Sequence, residues 1–122
     1  MIIENIKEWA KLGDSFLNFV YSVAKTKVTG KPVGERVPNK VLSKALKLSG
    51  IKMKNEKCDK GGIVEGLLGY AWFYGIISLE EAIGIISNRI SRMEYESRSL
   101  EMEILAKALS DLLEVVMNRF EK

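Results

Sequence analysis

The stretch LGDSFLNF, residues 12–19, places a glycine and a charged residue inside the first apolar helix pattern of the chain. Apolar residues recur at helical spacing on both sides of it, which predicts a helix over about residues 3–25. Gly13 costs a helix interior about 1 kcal/mol relative to alanine. A carboxylate such as Asp14 is unfavourable beside buried surface unless it is paired, hydrogen-bonded or bound to a metal. We therefore expect both residues to serve a close contact or a ligand.

The composition restricts the class of protein and the chemistry available to it. The 122 residues suit one folded domain over residues 1–122, with 47% hydrophobic and 29% charged residues. Cys58 is the single cysteine and there is no histidine, so disulfide frameworks, thiolate or imidazole zinc sites and histidine catalysis are excluded. Any metal must then be bound by oxygen. The N-terminal MIIENIKEWAK lacks the pattern of a secretory signal, and we expect the protein in the cytoplasm.

Charge is distributed unevenly between the two halves of the chain. Residues 1–60 contain 13 Lys and Arg against 6 Asp and Glu, and residues 61–122 contain 6 against 10. A basic half favours a surface for a polyanion, with the acidic half facing water or another subunit. A lysine-rich solvated surface, as in heat-adapted proteins, explains the charge equally well.

The second predicted helix combines an apolar face with a row of lysines. It begins around Asn39, a good N-cap residue, and Gly50 ends it. Lys40, Lys44 and Lys47 fall at i, i+4 and i+7 and so share one face. This pattern indicates either a cationic binding stripe or an ordinary solvated helix face.

Three further segments complete an all-α prediction. The run GIVEGLLGYAWFYGII, residues 62–77, is nearly all apolar but marginal in length for a bilayer span, which favours a buried central helix. Ser78 and Glu81 fit a capping box that opens a helix to about Met93. A wide apolar face predicts the last helix over about residues 97–120. No segment alternates as a strand would.

Asp14 and Glu65 are the two acidic residues placed where helices should be most buried. Each has a glycine beside it, Gly13 and Gly66, which allows another backbone or a ligand to approach closely. Two carboxylates meeting across two helices would suit Mg²⁺, which accepts one or two protein carboxylates and completes its octahedron with waters and substrate phosphate. Alternatively, each acid pairs with lysines or hydrogen-bonds to neighbouring helix ends.

Three motifs resemble the catalytic domain of the ribonuclease III family, and they occur in the family's order. LGDSFLNF looks like the family's signature helix, and IVEGLLGYAW resembles its second acidic motif. Between them, VPNKVLSKALKLSG is similar to the segment in which an Asn opens an amphipathic helix. The resemblance covers about residues 5–75. It is closest to compact members, Mini-III-like or archaeal, that have no separate double-stranded-RNA-binding domain.

The resemblance implies a fold, a reaction and a set of ligands. Members are all-α homodimers that cleave double-stranded RNA with Mg²⁺ or Mn²⁺, leaving 5′-phosphate and 3′-hydroxyl ends. Asp14 and Glu65 match two catalytic metal ligands of the family, and Asn39 matches the start of the helix that leads toward RNA. RNA-binding residues are then expected on this helix and the preceding loop: Arg36, Asn39, Lys40, Lys44 and Lys47, assisted by Lys25, Lys27 and Lys31. We expect the aromatic residues Tyr70, Trp72, Phe73 and Tyr74 in the core or at a subunit interface.

The sequence also departs from the family at two acidic positions. Ala10 and Gly62 occupy places where full-length bacterial members carry Glu and Asp. Asp59 in the linker is a candidate replacement, with a surface-loop role preferred. The departures leave two alternatives to an endonuclease open. One is a catalytically degenerate dimer that binds structured RNA such as ribosomal RNA, and the other is an all-α protein-interaction module that uses the face of Leu105, Leu109 and Leu112.

Overall fold

Amphipathic segments separated by glycine and proline fold into helices, which a computed structural model describes over residues 3–53, 55, 57–91 and 97–120. In chain order the helices are α1 (Ile6–Thr29), α2 (Asn39–Ser49), α3 (Lys60–Phe73), α4 (Leu79–Ile90) and α5 (Arg98–Phe120). Within the described ranges the chain forms no strand longer than an isolated bridge between Asn55 and Cys58. The prediction of an all-α fold is confirmed.

Local sequence sets most of the helix ends. Gly30 and Gly50 follow α1 and α2 in the left-handed region, with φ of 76° and 73°, which glycine adopts without a steric cost. Ser78 and Glu81 form the predicted capping box at the start of α4, each side chain bonding the other residue's backbone N–H. The predicted end of that helix at Met93 lies outside the described residues.

Two helix bounds differ from the prediction. α1 continues to Thr29, beyond the predicted end near residue 25. α3 ends at Phe73 although the apolar run continues, because Gly75 turns the chain at a φ of 73°. The residues after that turn still enter the core, and Ile77 is fully buried.

α3 is the central helix of the domain, as its apolar sequence predicts. It packs against α1, α2 and α5, and Val64, Leu67 and Leu68 have no exposed surface. Among the described helices, none has both the length and the apolarity needed to cross a bilayer. The predicted interaction face of α5 is wrong, because its three leucines lie in the core with at most 1% exposure: Leu105, Leu109 and Leu112.

Glycines bring α1 and α3 into backbone contact. A Cβ atom on Gly13 would lie 1.7 Å from the carbonyl oxygen of Glu65, and one on Gly69 would lie 2.6 Å from the carbonyl of Trp9. On Gly66, a Cβ would lie 2.3 Å from Ile6. No side chain fits at these distances, so the expectation that these glycines permit a close approach is confirmed.

The aromatic residues at the end of α3 are not core residues of the monomer. Phe73 and Tyr74 are 59% and 58% exposed, and Trp72 is 37% exposed. Only Tyr70 packs partly into the core. Of the two predicted places, the core or a subunit interface, only the interface is left for Trp72, Phe73 and Tyr74, and it stays a prediction.

Candidate active site

Asp14 lies on α1 beside the glycine contact with α3, and its side chain keeps 42% of its surface exposed. The Asn18 amide, one turn along α1, donates from Nδ2 to Oδ1 of Asp14 at 3.2 Å. The guanidinium of Arg36 lies 3.4 Å from both carboxylate oxygens. The carboxylate is thus held by two neighbours, neither of them a lysine, and it remains open to solvent.

Glu65 projects from α3 to the same point, and its carboxyl group hydrogen-bonds that of Asp14. Partial burial, this hydrogen bond and the charge of Asp14 together raise the pKa of Glu65 to about 7, with a smaller effect from Asp59. The positive charge of Arg36 opposes the increase. The structure therefore brings together the two acids that the sequence singles out, and this contact helps to hold the pKa of Glu65 above its ordinary value.

An open cleft of about 860 Å³ lies over this pair of carboxyl groups. Four cationic side chains line it against three carboxylates, so its charge balance suits an anionic ligand. The lining comes from α1, α3, the loop that joins α1 to α2 and the starts of α2 and α5: Lys7, Ala10, Lys11, Asp14, Glu35, Arg36, Asn39, Glu65 and Arg98 among others.

Asp59 has a structural role at the edge of the site. Its Oδ1 accepts from the backbone N–H of Gly62 at 2.8 Å, which caps the N-terminus of α3. Its Oδ2 accepts from Nδ2 of Asn39 at 3.2 Å. Asn39 is the first residue of α2 and not its N-cap, since Pro38 holds that position. The Asn39 side chain thus joins the starts of α2 and α3, and the charge of Asp59 still acts on Glu65.

The α1–α2 loop, residues 30–38, is tied to one face of α1. Side-chain oxygens spaced four residues apart on that helix accept backbone N–H groups of the loop at 2.7 to 3.1 Å. These bonds fix the part of the loop that carries Arg36. The pairs, from the site outward, are Asn18 with Val37, Ser22 with Glu35 and Thr26 with Val33.

A buried polar network anchors the same loop from the other side. Glu101, 4% exposed, accepts from the Tyr21 hydroxyl and lies 2.9 Å from Nζ of Lys25. Lys25 also bonds Glu35 at 2.9 Å, and Arg98 contacts both carboxylates at 3.3 to 3.4 Å. Burial raises the pKa of Glu101, but the bonds from Tyr21 and Lys25 outweigh it and hold that pKa below its ordinary value. Lys25 is therefore part of an internal ion-pair network, and its prediction as an RNA-binding charge is wrong.

The sequence of this chain matches a known protein family. A family model described as Ribonuclease III matches residues 7–122. The chain belongs to the ribonuclease III family. No curated protein matches it. The resemblance drawn from the three motifs is confirmed, and family membership supports a ribonuclease-like function and an RNA substrate.

Ribonuclease III proteins generally use divalent metal ions. This member lacks acidic side chains at two positions of the site, Ala10 and Gly62. Ala10 lines the cleft at one of the positions where the sequence departs from the family, and Gly62 donates its N–H to the helix cap. Across the described part of the chain, no group of three or more Asp, Glu or Cys side chains is arranged to hold a metal ion.

The lysine stripe of this ribonuclease III domain lies outside the cleft. Lys40 is exposed beside Asn39, which does line the cleft. Lys44 lies 3.9 Å from Glu103 of α5. Lys47 borders a separate hollow that it shares with Leu46, Ile51, Lys52, Met53 and Lys60. Of the predicted RNA-binding residues, only Arg36 and Asn39 share the cleft with the two acids.

Three residues of the cleft region were missed by sequence reasoning. Lys7, Lys11 and Asn18 lie on α1 at i−7, i−3 and i+4 from Asp14. Residues at these spacings share one helix face, so the periodicity of α1 contains the signal. Lys7 and Lys11 place positive charge near the acids, and Asn18 contacts Asp14 directly.

Proposed function

We propose that this protein is a Mg²⁺- or Mn²⁺-dependent endoribonuclease that cleaves double-stranded or structured RNA to 5′-phosphate and 3′-hydroxyl ends. The observation that carries the proposal is the contact between the carboxyl groups of Asp14 and Glu65 in an open cleft lined by cations. Membership of the ribonuclease III family supports the same reaction.

The residues present fit a hard divalent cation. Both donors are carboxylate oxygens, they come from two helices fixed against each other by glycine contacts, and one of them is solvent-exposed. Mg²⁺ commonly takes one or two protein carboxylates and leaves its other positions to water and phosphate. When bound, such an ion supplies stabilisation of charge on phosphate oxygens and lowers the pKa of water. Asp14 and Glu65 would hold it, and Asn18 would keep Asp14 oriented.

RNA binding would rest on shape and charge with little reading of bases. The cleft presents Lys7, Lys11 and Arg36 beside the acids, and Lys40 and Lys47 extend the basic surface along α2. Double-stranded RNA offers phosphates and 2′-hydroxyls across a shallow minor groove. Each phosphate contact releases counterions, so the affinity should fall steeply with salt concentration.

A second copy of the chain would cover the exposed aromatic end of α3. Phe73 packs edge-on against Tyr74, and both rings pack at a tilt against Trp9, with centroids 5.2 to 5.6 Å apart, yet both remain more than half exposed. Aromatic surface of this kind is typical of protein interfaces. We expect a homodimer in light scattering that Phe73→Lys converts to a monomer. Leu100→Lys, at an apolar position on α5 that is 42% exposed, should leave the dimer intact.

A catalytically degenerate protein that binds structured RNA is the second candidate. The observation that favours it is the apolar Ala10 in the cleft, together with the finding that no three acidic side chains of the described residues are arranged to hold a metal ion. On this alternative the cationic lining is retained for binding and no cleavage occurs.

One experiment separates the two candidates. End-labelled duplex RNA is incubated with the protein and Mg²⁺, and the variants Asp14→Asn and Glu65→Gln are compared with Glu114→Gln, the same change on an exposed part of α5. Cleavage that either site variant abolishes and the control retains supports the endonuclease. Binding at low salt without cleavage supports the degenerate protein. Failure to bind RNA at low salt contradicts both.

A further inference from the structure

The side chain of Asn18 contacts both the Asp14 carboxylate and the α1–α2 loop. The Asn18 amide donates from Nδ2 to Asp14 at 3.2 Å and accepts from the backbone N–H of Val37 at 2.7 Å. Because an N–H can only donate, Val37 fixes which end of the amide is the oxygen, and the NH₂ group must then face Asp14. A carboxylate or a hydroxyl of the same reach could not provide this donor and this acceptor together at these two places.

The loop attachment at Asn18 differs from the others on α1. Ser22 and Thr26 also accept loop N–H groups, at 2.8 and 3.1 Å, but no hydrogen bond joins either side chain to Asp14 or Glu65. Val37 directly follows Arg36, whose guanidinium lies 3.4 Å from both oxygens of Asp14. Asn18 therefore sets the orientation of the carboxylate and the position of the loop cation above it.

We propose that Asn18 is a positioning residue that couples the Asp14 carboxylate to the α1–α2 loop, so that cation binding and RNA binding depend on the same amide. This inference rests on the proposed function. Side chains that orient a metal ligand through a hydrogen bond typically change metal affinity by 10- to 100-fold when they are removed. An exposed carboxylate released from its donor samples other rotamers, and ordering it again opposes ion binding.

Asn18→Ala and Ser22→Ala form a matched pair for the test. Both remove a half-buried side chain that accepts a loop N–H from the same face of α1, but only the first removes a donor to Asp14. Mn²⁺ affinity is measured on the full chain by the electron paramagnetic resonance signal of free Mn²⁺. Duplex RNA affinity is measured separately in EDTA, where no cleavage occurs.

The expected result has a distinct pattern. Asn18→Ala raises the Mn²⁺ Kd by about 10- to 100-fold. Ser22→Ala leaves that Kd within about twofold, because Ser22 bonds the backbone of Glu35 and neither of the two proposed ligands, Asp14 and Glu65. Both variants weaken RNA binding, since both loosen the loop. Should Asn18→Ala fail to fold by circular dichroism, Asn18→Leu, which keeps the branched shape of the side chain without its donor or acceptor, takes its place.

Each contrary outcome overturns a defined part of the reasoning. Equal Mn²⁺ affinity in Asn18→Ala and the unchanged protein overturns the positioning role and leaves the proposed nuclease intact. Equal loss of Mn²⁺ affinity in Asn18→Ala and Ser22→Ala overturns it as well, because the amide would then act only through the loop. Absence of Mn²⁺ binding by the unchanged protein overturns both the inference and the proposed metal site.

Discussion

Replacing Glu65 by glutamine should stabilise the metal-free protein at alkaline pH. The pKa of this carboxyl group is raised from 4.5 to about 7 by burial, by its hydrogen bond with Asp14 and by the charge of Asp14. Between these two pH values the unfolded chain has lost the proton that the folded chain keeps, so stability falls as pH rises from about 4.5 to about 7. Glutamine retains the neutral state at every pH and avoids this loss.

The magnitude follows from the same pKa. Each pKa unit corresponds to about 1.36 kcal/mol. The increase from 4.5 to about 7 therefore gives about 3 kcal/mol as an upper value for the gain in the free energy of unfolding. The group faces a solvent-filled cleft, and screening there reduces the expected gain to about 1 to 2 kcal/mol. At pH 8 this corresponds to an increase in Tm of several degrees for a domain of this size.

The assay is urea denaturation in EDTA at pH 5, 6.5 and 8. Glu65→Gln should match the unchanged protein more closely at pH 5 and exceed it most at pH 8. Glu114→Gln, an exposed position on α5, should stay within about 0.5 kcal/mol throughout. A variant no more stable than the parent at pH 8, or a gain independent of pH, would show that the two carboxyl groups are not coupled in the folded state. Added Mn²⁺ should make the unchanged protein more stable than Glu65→Gln, since only the unchanged protein keeps both proposed ligands.

Three further outcomes test the fold and the site. Gly13→Ala should lower the free energy of unfolding by about 3 kcal/mol or prevent folding, because its Cβ would overlap a backbone carbonyl of α3. Gly84→Ala, with open space around the added Cβ, should raise that free energy by about 0.5 to 1 kcal/mol. Urea denaturation measures both. Tyr21→Phe should lower the free energy of unfolding by about 1 to 3 kcal/mol, because buried Glu101 loses a donor; an unchanged midpoint would contradict the described network. Arg36→Ala should reduce the slope of log Kd against log salt concentration for duplex RNA binding by about one. An unchanged slope would show that Arg36 does not contact the RNA.

Features that depend on neighbouring residues were predictable from the sequence. The capping box at Ser78, the glycine ends of α1 and α2 and the apolar face of α5 follow from local hydrogen bonding and from the helical period. The contact between Asp14 and Glu65 was also predicted, because a glycine beside each acid and the three motifs pointed to the same pair.

Roles that depend on distant partners were mistaken or missed. Lys25 resembles its neighbouring lysines in sequence, but in the structure it forms an ion pair with buried Glu101, which lies far along the chain. The leucines of α5 have the same pattern whether they meet the core or another protein, and only packing shows that they are buried. The role of Asn18 was missed because it depends on a hydrogen bond from Val37 of the α1–α2 loop, which the local sequence does not indicate.

The sequence by itself determined that this chain is all-helical, where its helices begin and end to within a few residues, and which two acids are out of place on apolar helices. These properties arise from hydrogen bonds and spacings within a few turns. Only the tertiary structure decided which cations face the acids, that the pKa of Glu65 is raised and that the Asn18 amide contacts Asp14. Those properties depend on how closely α1 and α3 approach and on where the α1–α2 loop is held, and long-range packing sets both.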